Sequence, residues 1–352
     1  MRQIIESLMV SITAREHRIL RHDVPATASA YEHYLRGNQL AQTREFAHLA
    51  RDMYLRCIEE DSLYAPAWAR LGRCYRLLGK YADDPKENYA KATEAFRRAL
   101  ELNADLDEAH SQYAQLQADT GHAKEGMITL VRRAAEGSKA PELFVGLVYA
   151  CRFCGLSTAS VAADQEARRL DSKARTSITH TWFHMGDYPR ALESSFGDIG
   201  YVDALALCMM GREAEAVELL KAREQRVTPH IVAHGYIRSL LACLENRRED
   251  SFREMQSLLA CGSLGPEEMF YLVRQFARLG YSEEALAVLQ IAVENGYYIY
   301  STLARDSWLD SLRSDLRFTQ IVRSAERHYR EAMITFRDAG GERVFTSVAL
   351  DV

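Results

Sequence analysis

Cys151-x-x-Cys154 followed by His180-x-x-x-His184 has the residue types of a metal site, since two thiolates and two imidazoles complete the tetrahedral shell of a structural zinc. The interval between the pairs exceeds that of the usual finger. In the helical register developed below, Cys151 turns inward and the two histidines turn to another face. We therefore expect buried free cysteines and no metal. His180 and His184 alone lie one helical turn apart and would titrate near neutrality as a pH-responsive patch, although surface histidines ordinarily do no more than face water. Gly72 and Gly79-Lys80 imitate a phosphate loop with too long an interval. No H-E-x-x-H, G-x-S-x-G or dinucleotide glycine fingerprint occurs in the chain. Acidic pairs such as Glu59-Glu60 and Asp83-Asp84 fall at expected helix ends and turns, where solvated carboxylates are ordinary. The expectation is a non-enzyme without cofactor.

The elements that position these residues follow from a recurring glycine. Gly79, Gly121, Gly155, Gly186, Gly211 and Gly280, with Asn246 standing in once, mark the turns of successive helix hairpins, most of them at intervals near 34 residues, the period of tetratricopeptide repeats. The register is clearest around Gly79. Trp68, Leu71, Gly72 and Tyr75 precede it, and Ala92, Phe96, Ala99 and Leu100 follow, displaced downstream by an insert close to ADDPKENY in which Pro85 ends the turn. Small residues at 72 and 92 let two antiparallel helices approach, and Trp68, Tyr75 and Phe96 fill the space between hairpins.

Carried along the chain, the register predicts helix pairs at 29–62, 65–104, 107–138, 141–172, 175–197, 198–226, 229–263 and 266–296. Pro66, Pro141, Pro229 and Pro266 stand near helix starts. The interval from Gly186 to Gly211 is short and demands a shortened second helix. The aromatic-rich stretch after Gly296 and a helix near 315–339, stopped by Gly340-Gly341, suit a capping element. The expected fold is all-α, a right-handed tetratricopeptide-like superhelix of about eight hairpins. Its parts are an entry segment at 1–28, a solenoid at 29–296, a cap at 297–341 and a tail at 342–352.

Composition agrees with a repeat array and argues against several partners. The net charge of -5 gives no positive footprint for nucleic acid or an anionic membrane. No apolar run approaches the roughly 18 residues of a membrane span, and the first residues carry acidic and polar groups where a signal peptide needs an apolar core. Seven scattered cysteines fit a reduced compartment, so a cytoplasmic protein is expected.

Three passages resemble the C-terminal tetratricopeptide regions of multidomain bacterial signalling proteins, where the repeats follow a nucleotide cyclase, a protein kinase or a winged-helix domain. They are SITAREHRILRHDVPATASAYEHYLRG at 11–37, AWARLGRCYRLLGKYADDPKENYAKATEAFRRALELN at 67–103, and LARDSWLDSLRSDLRFTQIV at 303–322, continuing into AERHYREAMITFRDAGGER. Met1 stands where the preceding domain of such proteins would have just ended. The resemblance leaves open a stand-alone repeat protein or a repeat region parted from its effector, and it implies a bacterial signalling effector among the partners.

First helices of such hairpins line a concave groove, so the register projects Arg73 and Arg76 there, then Glu108, Ser111, Gln115 and Asp119. In the middle repeats it projects Tyr149, Arg152 and Phe153, then His180, Phe183 and His184, then Tyr201, Leu205 and Met209. Clustered aromatics with an arginine are the residue types of interface hot spots. Ala69, Arg73 and Gln112 occupy positions where chaperone-binding relatives carry a carboxylate clamp, so capture of an acidic chain terminus is not expected. The leading expectation is a scaffold that binds a peptide or helix of another protein. The alternative is a sensory module acting on a cyclase, kinase or DNA-binding effector in response to a small ligand.

Overall fold

In the computed structural model, residues 23–81, 84–195, 200–227 and 232–345 are described, and among them all regular structure is helical. Helices follow one another with short connections. In chain order they begin with α1 (Ala28–Leu40) and α2 (Ala47–Glu60), α3 (Ala65–Tyr81) and α4 (Pro85–Leu102), α5 (Asp107–Asp119) and α6 (Ala123–Ala135), and α7 (Pro141–Phe153) and α8 (Ser157–Leu170). The series continues as α9 (Ile178–Met185) with α10 (Tyr188–Glu193), α11 (Tyr201–Met209) with α12 (Glu213–Glu224), α13 (Val232–Leu244) with α14 (Arg248–Ala260), and α15 (Pro266–Arg278) with α16 (Ser282–Glu294). After them come α17 (Tyr300–Arg305), a 3-10 turn at Ser307–Leu312, the long α18 (Leu316–Asp338) and the short α19 (Gly341–Val344). The entry segment expected at 1–28 lies outside the described residues up to residue 22, as do Pro229 and the tail from residue 346.

Local chemistry accounts for these boundaries. Thr27, Asp84, Asp187 and Asp315 each accept a backbone N–H of the first turn they cap. Prolines occupy the first turns of α4, α7, α10 and α15, where their missing donor costs nothing. Gly121, Gly155, Gly186, Gly211 and Gly280 all have positive φ, and Asn246 stands at φ 56 in the same role. Gly79 departs from the series. The insert lengthens the connection, α3 runs on to Tyr81, and Gly79 becomes a packing residue within the helix whose Cβ would lie 2.8 Å from the Tyr89 ring. Pro85 ends the turn as the first residue of α4, so most of the insert is helix. The shortened second helix appears as the six residues of α10.

The chain divides into two compact units, one comprising Met1–Gly79 and Asp83–Leu116, the other Lys80–Ala82 and Gln117–Val352. In the first, helices approach over small residues. A Cβ on Gly72 would stand 2.6 Å from the Phe96 ring, and one on Gly37 would stand 2.6 Å from Tyr54. Trp68 and Tyr75 pack from the side against the resulting clusters.

The second unit joins its early hairpins to its late ones. The Tyr298 N–H donates to the Phe153 carbonyl at 2.8 Å. A Cβ on Gly155 would stand 2.2 Å from the Tyr298 oxygen, and one on Gly296 would stand 2.9 Å from the Gly121 oxygen. The turn glycines thus also let one backbone lie on another. The cap secures the junction, with α18 against α6, α16 and α17, and with Phe345 between Phe336 and Phe144 at ring distances of 6.2 Å each. Phe318, Ile321, Ala325, Ala332 and Phe336 are the buried face of α18, the amphipathic stripe a cap needs.

A matched pair of substitutions isolates this junction. Gly155 and Gly211 have nearly equal φ, +77 and +74, but a Cβ on Gly211 meets nothing within 4 Å. Gly211→Ala should cost about 1–2 kcal/mol of left-handed strain, and Gly155→Ala about 1–3 kcal/mol more for the collision with Tyr298. Urea unfolding of the two variants measures the difference, and equal losses would show that the backbone contact contributes nothing.

Candidate functional site

The residues expected to line a groove in the second unit converge on one helix. α15 buries Pro266, Glu267, Phe270 through Ala277 almost without interruption, so both its faces are covered. A helix buried all round is normally apolar. This one carries Glu267, Arg274 and Gln275, exposed by 2%, 0% and 0%, and each is matched by a partner from a different part of the chain.

Arg152 of α7 donates to Glu267 from Nε at 2.8 Å and from a terminal nitrogen at 3.3 Å. Its remaining nitrogen bonds the Ser177 hydroxyl and carbonyl at 2.8 and 3.1 Å, and its plane lies 4.8 Å from the Tyr149 ring centre. Burial pushes the Glu267 carboxyl up, but Arg152 and then His180 outweigh it and hold the group well below the ordinary carboxylate range. The Tyr297 hydroxyl donates to Glu267 at 3.1 Å and meets His184 Nε2 at 2.6 Å. Burial, only partly offset by Glu267, lowers the His184 pKa to about 4. His184 is therefore a neutral ring at pH 7.

The next turns of α15 repeat the arrangement. The Tyr271 hydroxyl meets His180 Nδ1 at 2.8 Å. Gln275 donates to the Tyr201 hydroxyl at 2.7 Å and to the Ser239 hydroxyl of α13 at 3.3 Å. Arg274 Nε donates to Asp306 at 2.5 Å, another nitrogen reaches Met209 Sδ at 3.0 Å, and its plane lies 4.5 Å from the Trp308 ring centre. At the N-terminal end Lys80 bonds Asp119 and the Tyr149 hydroxyl at 2.6 Å each and Glu268 at 2.8 Å. Burial works against the Lys80 charge, but Asp119 and Glu268 raise its pKa well above the ordinary value.

The expected open groove is thus a filled interior in this unit. Tyr149, Arg152, Phe153, Phe183, His184, Tyr201 and Leu205 are buried. Met209 is half-buried, and His180 keeps about a third of its side chain in water, at 32%. Tyr149, Arg152, Phe153, His180, Phe183, His184, Tyr201 and Met209 meet partners on α15 or the 297–308 segment or beside them. In the first unit Arg76 is buried against Gln115 at 2.8 Å, and Arg73, half-buried, donates to the Ala41 carbonyl at 3.3 Å. Cys151 and Cys154 are buried, burial pushes the Cys154 thiol up to about 12, and among the described residues no group of His, Cys, Asp or Glu is arranged to hold a metal.

Sequence reasoning missed the partners, namely Lys80, Glu267, Glu268, Tyr271, Arg274, Gln275, Tyr297 and Asp306. A signal was present in Arg274-Gln275, two polar residues inside the otherwise apolar run FYLVRQFA. Glu267-Glu268 gave none, because acids after a helix-opening proline read as ordinary dipole partners.

No family model matches the chain, nor does any curated protein. Among solved structures, the chain is similar to the TPR domain of P58(IPK), at 12% identity and a TM-score of 0.24 over 87% of this chain and 99% of that one. The all-α hairpin architecture stated above rests on the helix pairs themselves.

Two measurements test the buried network. Glu267→Gln leaves Arg152 buried without its counter-charge and should destabilise by about 3–5 kcal/mol, whereas Arg152→Leu with Glu267→Leu should recover much of the loss. Urea unfolding compares them, and a stable single variant would show that the pair does not hold α15. The acid limb follows from His184. Its folded pKa of about 4 lies below the ordinary 6.5, so the unfolded chain binds more protons between these values. The stability it contributes is complete above about pH 6.5 and is lost as pH falls towards 4. Glu267, with its depressed pKa, adds a loss at the acid end of that window. Tm measured across the window should fall with pH, and His184→Gln should flatten the slope between pH 6.5 and 5.

Proposed function

We propose that the chain is a non-enzymatic protein-interaction scaffold whose partner, an amphipathic helix of another protein, docks on the first hairpin of the first unit rather than in the interior of the second. The observation that supports this is where apolar surface remains. Of ten large apolar side chains exposed among the described residues, six lie between residues 24 and 63: Val24, Tyr31, Leu35, Phe46, Leu49 and Leu63. Scattered exposed apolar residues need no explanation, but a concentration of this kind is the usual mark of an interaction surface. Tyr31 and Leu35 lie one turn apart on α1, at 45% and 48% exposure, and so share a face. In the second unit the aromatics and arginines that would suit a hot spot are spent on α15.

The second reading, a regulatory module for a cyclase, kinase or DNA-binding effector, draws on the resemblance at 11–37, 67–103 and 303–322. In the last of these passages Asp306, Trp308, Leu309, Leu312, Phe318 and Ile321 are all buried. Packing alone can account for that likeness, so we place the scaffold first. Among the described residues no helix is long and apolar enough to cross a membrane.

A photo-crosslinking residue at position 35 should trap a partner from lysate of the native organism, and one at the similarly exposed Ile334 should not. Replacing Tyr31, Leu35, Phe46 and Leu49 together by Ser should abolish recovery while each change alters stability by no more than about 0.5 kcal/mol. Recovery that survives the fourfold change would remove the proposed surface. An effector enzyme or transcription factor as the trapped protein would favour the second reading.

A further inference from the structure

A cleft of ≈ 520 Å³ opens beside the backbone junction of the second unit, where the start of α8, the end of α9, and α17, α18 and α19 converge. Its size falls within the range of ligand pockets. Leu156, Met185, Met333 and Phe336 give it an apolar floor. Tyr300 and Tyr329 form one wall, their rings 5.4 Å apart and inclined by 39°.

The charges around it are unequal. Arg337 is neutralised by Glu342, its Nε 2.9 Å from the carboxylate, and both line the cleft. Arg305 also lines it, but donates only to the carbonyls of Ser301, Met185 and His184, at 3.0, 3.1 and 3.1 Å. Among the described residues it faces no carboxylate within ion-pair distance. Arg305 is exposed, and its guanidinium keeps its positive charge at the rim of the cleft while bonding only neutral carbonyls.

We propose that this cleft binds a small organic carboxylate with an apolar body. The body lies on Met333, Phe336 and the tyrosine wall, and the carboxylate meets the Arg305 guanidinium. An apolar cation would place its charge beside Arg305, and a short anion such as acetate would forgo the apolar floor. Ligand size and charge sign are therefore both selected.

Equilibrium titration of the full chain with decanoate, decyltrimethylammonium and acetate, all below micelle formation, tests the site. Decanoate should bind saturably at one per chain and raise Tm by mass action, while the other two leave Tm unchanged. Arg305→Gln should weaken decanoate about tenfold through loss of a charge-assisted contact. Because Arg305 also caps the last carbonyls of α9, a second variant is needed. Met333→Trp fills the cleft without removing a charge and should abolish binding at an unaltered circular dichroism spectrum. Equal binding of the cation, failure of decanoate to bind, or decanoate binding that survives Met333→Trp would each overturn the proposal.

Discussion

The second unit depends on the ion pair between Arg152 and Glu267. Taking two charges out of water costs several kcal/mol each unless they face one another with good geometry and their remaining hydrogen-bonding atoms are used. Both conditions are met. Glu267 receives two guanidinium nitrogens and the Tyr297 hydroxyl, and the rest of the guanidinium is taken by Ser177. The two residues lie far apart in sequence, on α7 and α15, so the pair forms only when the unit closes around its last hairpin. Tyr271, Arg274 and Gln275 are then delivered to α9, the 306–308 turn, α11 and α13 by the rotation of one helix.

This arrangement sets register more than it adds stability. Replacing such a pair by apolar side chains is often neutral, but a helix buried on all faces by apolar groups alone could rotate or slide with small loss. Here a shift of one turn would leave Glu267, Arg274 and Gln275 buried without partners, each at a cost of about 1–3 kcal/mol or more. Polar groups spread along α15 therefore select one position for it. The same fact holds α15 in place against its neighbours. Displacing α15 to open a groove would expose or orphan the whole set.

Much of the hairpin pattern was legible because its causes are local. A positive-φ turn asks for Gly or Asn, a first helical turn tolerates Pro, and a 3.6-residue apolar period marks the buried stripe of each helix. Gly79 was misread where that locality failed, since the insert moved the turn downstream and left a glycine needed for the approach of Tyr89. Tyr149, Arg152, His180, His184, Tyr201 and Met209 all border α15 or its partners, but nothing in their own repeats says what they meet. Repeat register treats every first helix as equivalent, whereas α15 is set apart by contacts with residues more than a hundred positions away. Glycine at 155 carries the same ambiguity. The turn alone accounts for it, and only the fold shows the Tyr298 carbonyl lying where a side chain would begin.

The cleft inherits its form from this long-range closure. Gly155 and Leu156 come from the early side of the junction, and Tyr300 and Arg305 from the late side. Arg305 also ties the two sides directly, because its guanidinium binds the final carbonyls of α9. A ligand held there would touch both sides and would have no equivalent site in the opened chain. Its binding free energy would therefore add to that of the Arg152–Glu267 pair in keeping the unit closed. In the reverse direction, a change that weakens the pair would weaken the ligand by the same coupling, although α15 contributes no residue to the cleft lining.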